Sequence, residues 1–376
     1  MGFSEAAPTM NSTTEGDPAG SKRRLRTPGM ASCTRNCSLG YDLAGMIRRF
    51  VGELFFRPAV EELRYLPEGP RVLQSYPERD AKLGWVAIQH AAGVVEGSFN
   101  LLDLASGANT SFPLRGRPGF FAETTEPGVV LVGLERELAL LDVRTGRLSE
   151  AVARIDADPG VIINDGLGVD GGVLFGTKDL EFKRPIAALY FFDSVTRKVH
   201  TVLDGQTCSN GKYLRREATG ATLIDIDTTP KRICRYLLDA KLGRVLDVRL
   251  IRPAESLPAL PDGLRPAPAG HGETEGASVI VAYYNPGAVA DGLAQQIRVS
   301  DGAVVCEWIV PGSPRVTCPE FVKLDGRVKL LFTTAAEGMP AEIRRQAPGA
   351  GCMYIADTEF EDLPAAPPLV DFGDDV

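Results

Sequence analysis

Histidine and paired cysteine are scarce in this chain, and each scarcity removes a class of chemistry. The 376 residues contain three His, two Trp and seven Cys. His90, His200 and His271 lie far apart in sequence and form no H-E-x-x-H pair. The cysteines (Cys33, Cys37, Cys208, Cys234, Cys306, Cys318, Cys352) never fall three positions apart as C-x-x-C, so neither a zinc knuckle nor a disulfide framework can be read from their spacing. G-x-S-x-G and G-x-x-x-x-G-K-[ST] do not occur, which removes the sequence support for serine-hydrolase and P-loop chemistry. Gly166-Leu167-Gly168-Val169-Asp170-Gly171 spells G-x-G-x-x-G, yet an apolar strand pattern follows it. Dinucleotide binding needs a helix N-terminus there to receive a pyrophosphate.

Positive charge is also in deficit, with Lys+Arg 41 against Asp+Glu 49 and a net charge of −8. That balance argues against a nucleic-acid partner and leaves small molecules and cations open. No segment reaches the roughly 18 uncharged apolar residues of a membrane helix. Acidic Glu5, Glu15 and Asp17, with no long apolar run, do not match a secretory leader. A reducing, cytoplasmic setting is the expectation. An organelle is the alternative if residues 1–40, rich in Ser, Thr, Gly and Pro and carrying Lys22-Arg23-Arg24-Leu25-Arg26, serve as a transit peptide rather than a disordered extension.

What the chain has in plenty is turns and short strands. Gly 40 and Pro 27 make roughly 18% of the chain, above the usual ~12%. Leu43, Ile47, Phe50, Val51, Leu54 and Phe55 keep the spacing of one helical stripe, so residues 41–66 are expected to form an amphipathic lead-in helix packed on the domain. Beyond residue 80 the apolar period becomes two, in short runs rich in Val, Ile, Leu and Tyr. Several end alike, in an Asp followed by a Gly-closed or basic turn: Asp103, Asp142, Asp193, Asp239 and Asp301. These positions are 39, 51, 46 and 62 residues apart, close to the ~40 to 50 residues of a four-stranded propeller blade plus loops. With Tyr354–Asp357 as a sixth unit, the expected fold is all-β, a six-bladed β-propeller over residues 67–360, followed by an acidic, Pro-rich tail at 361–376. A β-sandwich rarely needs so many strands.

Four phrases combine a polar side chain with turn residues: Glu68-Gly69-Pro70, Asn164-Asp165-Gly166, Ser209-Asn210-Gly211 and Pro261-Asp262-Gly263. Singly, each is an ordinary turn signal. They fall in different blades, however, and a propeller brings residues of every blade to its central channel. Glu68, Asn210 and Asp262 offer only oxygen donors, two of them anionic, which suits a hard divalent ion. Such an ion polarises a carbonyl and acidifies bound water, allowing ester attack without a protein nucleophile.

The order and spacing of these phrases resemble the family of regucalcin (senescence marker protein), gluconolactonase and luciferin-regenerating enzyme. The resemblance runs over about residues 65–357 and includes Gly84-Trp85-Val86, Val281–Asn285, and Leu331–Ala335 through Gly351. It implies a six-bladed propeller holding one divalent cation, calcium before magnesium, manganese or zinc, on Glu68, Asn210 and Asp262. Asn164 would touch substrate or complete the coordination. The implied activity is metal-dependent hydrolysis of a lactone or related ester, with metal-bound water as nucleophile and Asp262 as general base.

Three departures bear on substrate. Ile162 stands where many members carry a substrate-contacting Arg, Ala87 replaces an Asp, and Cys318-Pro319-Glu320 replaces an F-G-G phrase. Lys178 or Arg136 is the candidate replacement cation at the substrate. A non-catalytic calcium- or ligand-binding propeller is the alternative that the missing Arg favours. The metal-free strictosidine synthase-like propellers, which share the fold, are a further alternative.

Overall fold

The computed structural model describes residues 40–41, 47–91, 94–270 and 272–373. Extension residues 1–39, residues 42–46 of the expected helix and the last three residues of the tail lie outside that description. Six sheets make up the fold, five wholly antiparallel and one with an added parallel strand, and four consecutive strands build each of the first four. Blade 1 begins at Leu66–Val72, blade 2 at Pro118–Glu123, blade 3 at Val161–Val169, blade 4 at Ser209–Glu217, blade 5 at Leu260–Pro266 and blade 6 at Val316–Leu324. Each of these first strands packs against the next around a closed ring, the last meeting the first. The expected six-bladed propeller is therefore the observed fold. Among the described residues only Ala341–Gln346 is α-helical, and no helix is long and apolar enough to cross a membrane.

The recurrent Asp explains how the blades repeat. It stands at the turn between third and fourth strands, where its carboxylate accepts the backbone N–H groups of that turn. Asp103 Oδ1 accepts from Ala105 and Ser106, Asp193 Oδ1 from Val195 and Thr196, Asp239 Oδ1 from Gly243 and Arg244, and Asp301 Oδ1 from Ala303. Turn donors that would otherwise go unpaired are thereby satisfied.

The lead-in helix is corrected by the structure. Within residues 47–66, Arg48–Val51 and Glu53–Phe56 are strands, and only Glu61–Arg64 makes a short 3-10 turn. Arg48–Val51 pairs in parallel with Val304–Val310 of blade 5, and Phe50 stacks on Trp308 with ring centroids 5.9 Å apart. Glu53–Phe56 is the fourth strand of blade 6, antiparallel to Met353–Asp357. The propeller thus starts before residue 67, and the chain's two ends close one blade between them. An open sheet edge more than two hundred residues away outweighs the helical spacing of the apolar side chains.

The acidic tail is also structured. Val370 N donates to Glu123 O, Val370 O accepts from Thr125 N, and Phe372 packs on Phe192. The carbonyl of Pro367 accepts from Gln74 Nε2 at 2.7 Å, and Ala365 N donates to Glu275 Oε2 at 2.6 Å. Residues 363–372 therefore form a strap across several blades.

Candidate functional site

Each polar phrase sits inside an inner strand rather than in a hairpin loop, and each coincides with a break in strand register. The ladder skips between Glu68 and Arg71, between Ile163 and Asp165, between Ser209 and Lys212, and between Pro261 and Leu264. One extra residue in the inner strand at each break is a β-bulge, which re-aims a side chain that would otherwise alternate in and out. The glycines have a packing reason. A Cβ on Gly211 would lie 2.4 Å from Leu264 N, and one on Gly263 2.6 Å from Thr317 O, because neighbouring inner strands approach closely there. Asn-Gly and Asp-Gly are here bulges at a crowded channel mouth.

The bulges bring the predicted residues of blades 1, 3, 4 and 5 to one end of the channel. Asn210 Nδ2 donates to Asp262 Oδ1 at 2.5 Å and to Thr228 Oγ1 at 3.1 Å, while Asn210 Oδ1 accepts from Gly211 N. Asn164, half-buried, donates through Nδ2 to Ser209 O at 3.1 Å. The Glu68 carboxylate accepts from Gly69 N at 3.3 Å, its one hydrogen bond among the described residues. Burial, then the negative charges of Asp262 and Asp165, push the Glu68 carboxyl well above its usual range, with Lys178 opposing. Asp262 is raised mainly by burial, against the Asn210 bond and Lys178, with Asp165 and Glu337 adding to the rise. Two poorly solvated carboxylates that repel each other create a site that favours positive charge.

Lys178 answers part of that demand. It is buried, lies 5.5 Å from the Phe182 ring centroid, and its charge acts on Glu68, Asp262 and Cys208. The strand register sets Lys178 directly opposite Ile162, so a cation stands one strand across from the apolar position. Directly opposed residues project from the same face. Arg136 is placed differently: its guanidinium donates to Pro159 O at 3.0 Å in the approach to blade 3. Ile162 is buried.

The donor set fits a hard cation in kind. It supplies two carboxylates and two amide oxygens, although the Asn210 amide must rotate to present Oδ1 instead of Nδ2. No cluster of three or more His, Cys, Asp or Glu with metal-holding geometry occurs among the described residues. Cys208, beside Asn164, is no competing nucleophile, because burial pushes its thiol up to about 12.

Sequence reasoning missed the layer beneath. Lys212 Nζ donates to Asp165 Oδ2 at 2.8 Å and to Asn210 O at 2.6 Å. Arg265 Nε donates to Glu320 Oε2 at 2.6 Å, and its Nη2 to Pro70 O at 2.7 Å. Burial alone would raise Asp165, but Lys212, Arg265 and Arg71 outweigh it and leave the carboxyl below its ordinary range. Asp165 adjoins Asn164, and Lys212 follows Asn210 by two. Their position beside the bulged phrases was the available signal; the pairing across blades was not.

Comparison with known proteins agrees with the fold. Residues 66–336 match the model of the SMP-30/gluconolactonase/LRE-like region. An L-arabinolactonase of Azospirillum brasilense is 24% identical over 261 residues, covering 68% of this chain and 80% of that protein. The calcium-binding protein regucalcin from Agrobacterium tumefaciens superposes with a TM-score of 0.67 at 21% identity, covering 85% of this chain and 97% of that one. A luciferin-regenerating enzyme follows at 0.65 and 20%, covering 81% and 96%. A gluconolactonase from Xanthomonas campestris gives 0.54 at 16%, covering 89% and 99%. The matched region takes in all six inner strands and every residue of the channel mouth, and on that ground the chain belongs to the SMP-30/gluconolactonase/LRE-like family.

Proposed function

We propose that the protein hydrolyses a lactone or related cyclic ester at the channel mouth, with a divalent cation, calcium before magnesium, manganese or zinc, held by Glu68, Asn210, Asp262 and Asn164. The observation that carries this reading is the pair of raised, poorly solvated carboxylates, Glu68 and Asp262, gathered with two amides by β-bulges of four blades. The family membership and the L-arabinolactonase relative support the reaction type. The cation, when bound, supplies Lewis-acid polarisation of the ester carbonyl.

The chain's own residues do the rest. Asp262, oriented by Asn210, takes a proton from the attacking water and returns it to the ring oxygen as the C–O bond breaks, giving a hydroxy acid. Glu68, on blade 1, would help balance the cation's charge. Asn164 and Lys178 orient the substrate, Lys178 standing in for the Arg absent at Ile162. A short ammonium replaces a planar guanidinium in this arrangement, so bidentate recognition of a sugar acid is lost and the preferred lactone differs from one clamped by Arg.

A panel of aldonolactones, aliphatic γ- and δ-lactones and aryl esters, with the protein loaded in turn with calcium, magnesium, manganese and zinc, tests the proposal. Cation-dependent opening of at least one lactone, abolished by chelation, is expected. Saturable cation binding without turnover of any lactone would instead establish the regulatory, non-catalytic propeller that Ile162 favours.

A further inference from the structure

The inner strands carry a second constellation at the other end of the channel. From Glu68 to Val72, from Asn210 to Leu214 and from Asp262 to Pro266 the chain advances four residues, roughly 13 Å along a strand. There a cavity of about 570 Å³ opens between the inner strands and the C-terminal strap, within the 300–1,000 Å³ range of small-molecule sites. Its walls are largely apolar, with Leu104, Leu167, Val169, Leu214, Phe321 and Leu363 among them. Its floor is Arg71, Lys212 and Arg265. Six basic side chains line it against four acidic ones, in a chain whose net charge is −8.

Arg71 shares its one ion-pair partner among the described residues with Arg265. Its side chain is 16% exposed, and its nearest carboxylate oxygen, Glu320 Oε2, lies 3.8 Å away and already accepts from Arg265 Nε at 2.6 Å. Lys212 is spent on Asp165 and Asn210 O. The floor's three cations are thus set against Glu320, which lines the cavity, and Asp165, which pairs with Lys212 from outside the lining, an excess of one positive charge at Arg71. Burial and the neighbouring Arg265 hold the Arg71 guanidinium down at about 10, which still leaves it charged at neutral pH.

The strap is fitted to this mouth rather than draped on it. Gln74 and Glu275 hold Pro367 and Ala365. A Cβ on Gly168 would meet Pro368 O at 2.7 Å, so glycine there is what lets the strap lie against blade 3.

We propose that this cavity is a second ligand site, remote from the channel mouth that holds Asp262, and that it takes a small organic anion with an apolar body, the carboxylate on Arg71 and the body between the inner-strand side chains and the strap. The fork of a guanidinium suits a carboxylate in two-point contact, and the apolar walls supply the burial.

Calorimetric titration of the full chain with octanoate and, separately, with octan-1-ol tests it, since the two probes share a chain and differ in charge. Octanoate should bind saturably at one site, at least tenfold more tightly than the alcohol. Arg71→Met should weaken octanoate at least tenfold, Arg71→Lys should restore part of it, and Asp262→Asn should leave it unchanged. Equal binding of acid and alcohol, no saturable octanoate heat, or loss of octanoate in Asp262→Asn would each overturn the proposal. The comparison of acid with alcohol decides the matter even if Arg71→Met does not fold.

Discussion

Asp262→Ala should lower lactone hydrolysis by at least about 10³-fold while leaving the propeller folded. The expected size combines the 10² to 10⁴ typically supplied by a general base with the loss of an anionic ligand from the proposed cation site. The fold should survive because Asp262 sits at a channel mouth. Asn210, which donates to it at 2.5 Å, keeps Thr228 Oγ1 as a second acceptor at 3.1 Å, and Thr228 in turn donates to Pro261 O at 2.8 Å. Blades 4 and 5 therefore stay tied without the carboxylate. Steady-state rates on the best lactone of the panel, beside thermal melts of both proteins, make the check. Turnover within tenfold of wild type would remove Asp262 from the chemistry.

The second large effect is on stability. Lys212→Met should cost about 3 kcal/mol, near the lower end for breaking a buried ion pair, because Asp165 is left without its closest cation. The Lys212 side chain is 1% exposed and that of Asp165 17%. Arg265 and Arg71 still act on Asp165, which keeps the cost from being larger. A fall in Tm of roughly 4–5 °C is expected for a domain of this size, at ~2.1 cal/mol/K of unfolding entropy per residue. Adding Asp165→Asn should recover part of it, since the uncompensated charge is then gone; the double-mutant cycle isolates the pair. Activity should fall as well, because Lys212 Nζ also fixes the backbone carbonyl of Asn210. An unchanged Tm in Lys212→Met would show that the middle layer contributes nothing to holding the blades together.

The two variants probe different layers of one channel, and the layers were unequally visible in the sequence. The blade repeat was legible because Asp103, Asp142, Asp193, Asp239 and Asp301 are fixed by local chemistry, a carboxylate accepting from its own turn. The mouth residues were legible through phrases such as Asn210-Gly211, in which the glycine is required by the approach of the next inner strand. The closing strand was not. Phe50, Val51, Leu54 and Phe55 fit a helical stripe, and nothing local announces that Val304–Val310 and Met353–Asp357 have free edges to receive them. Nor was the Lys212–Asp165 pair, which joins adjacent blades across 47 positions. The strap was hidden for a related reason: Pro-rich, acidic sequence reads as solvated, yet Val370 and Phe372 are buried against blades 2 and 3. Local signals revealed local structure, and what depends on ring closure emerged only in three dimensions.

The proposed hydrolysis requires a cation shared by Glu68 and Asp262, and calorimetric titration of calcium into the chelator-treated full chain tests this most directly. One site per chain is predicted, weakened at least tenfold by Glu68→Gln and likewise by Asp262→Asn. Failure to bind calcium, magnesium, manganese or zinc, or binding that both substitutions leave untouched, would contradict it.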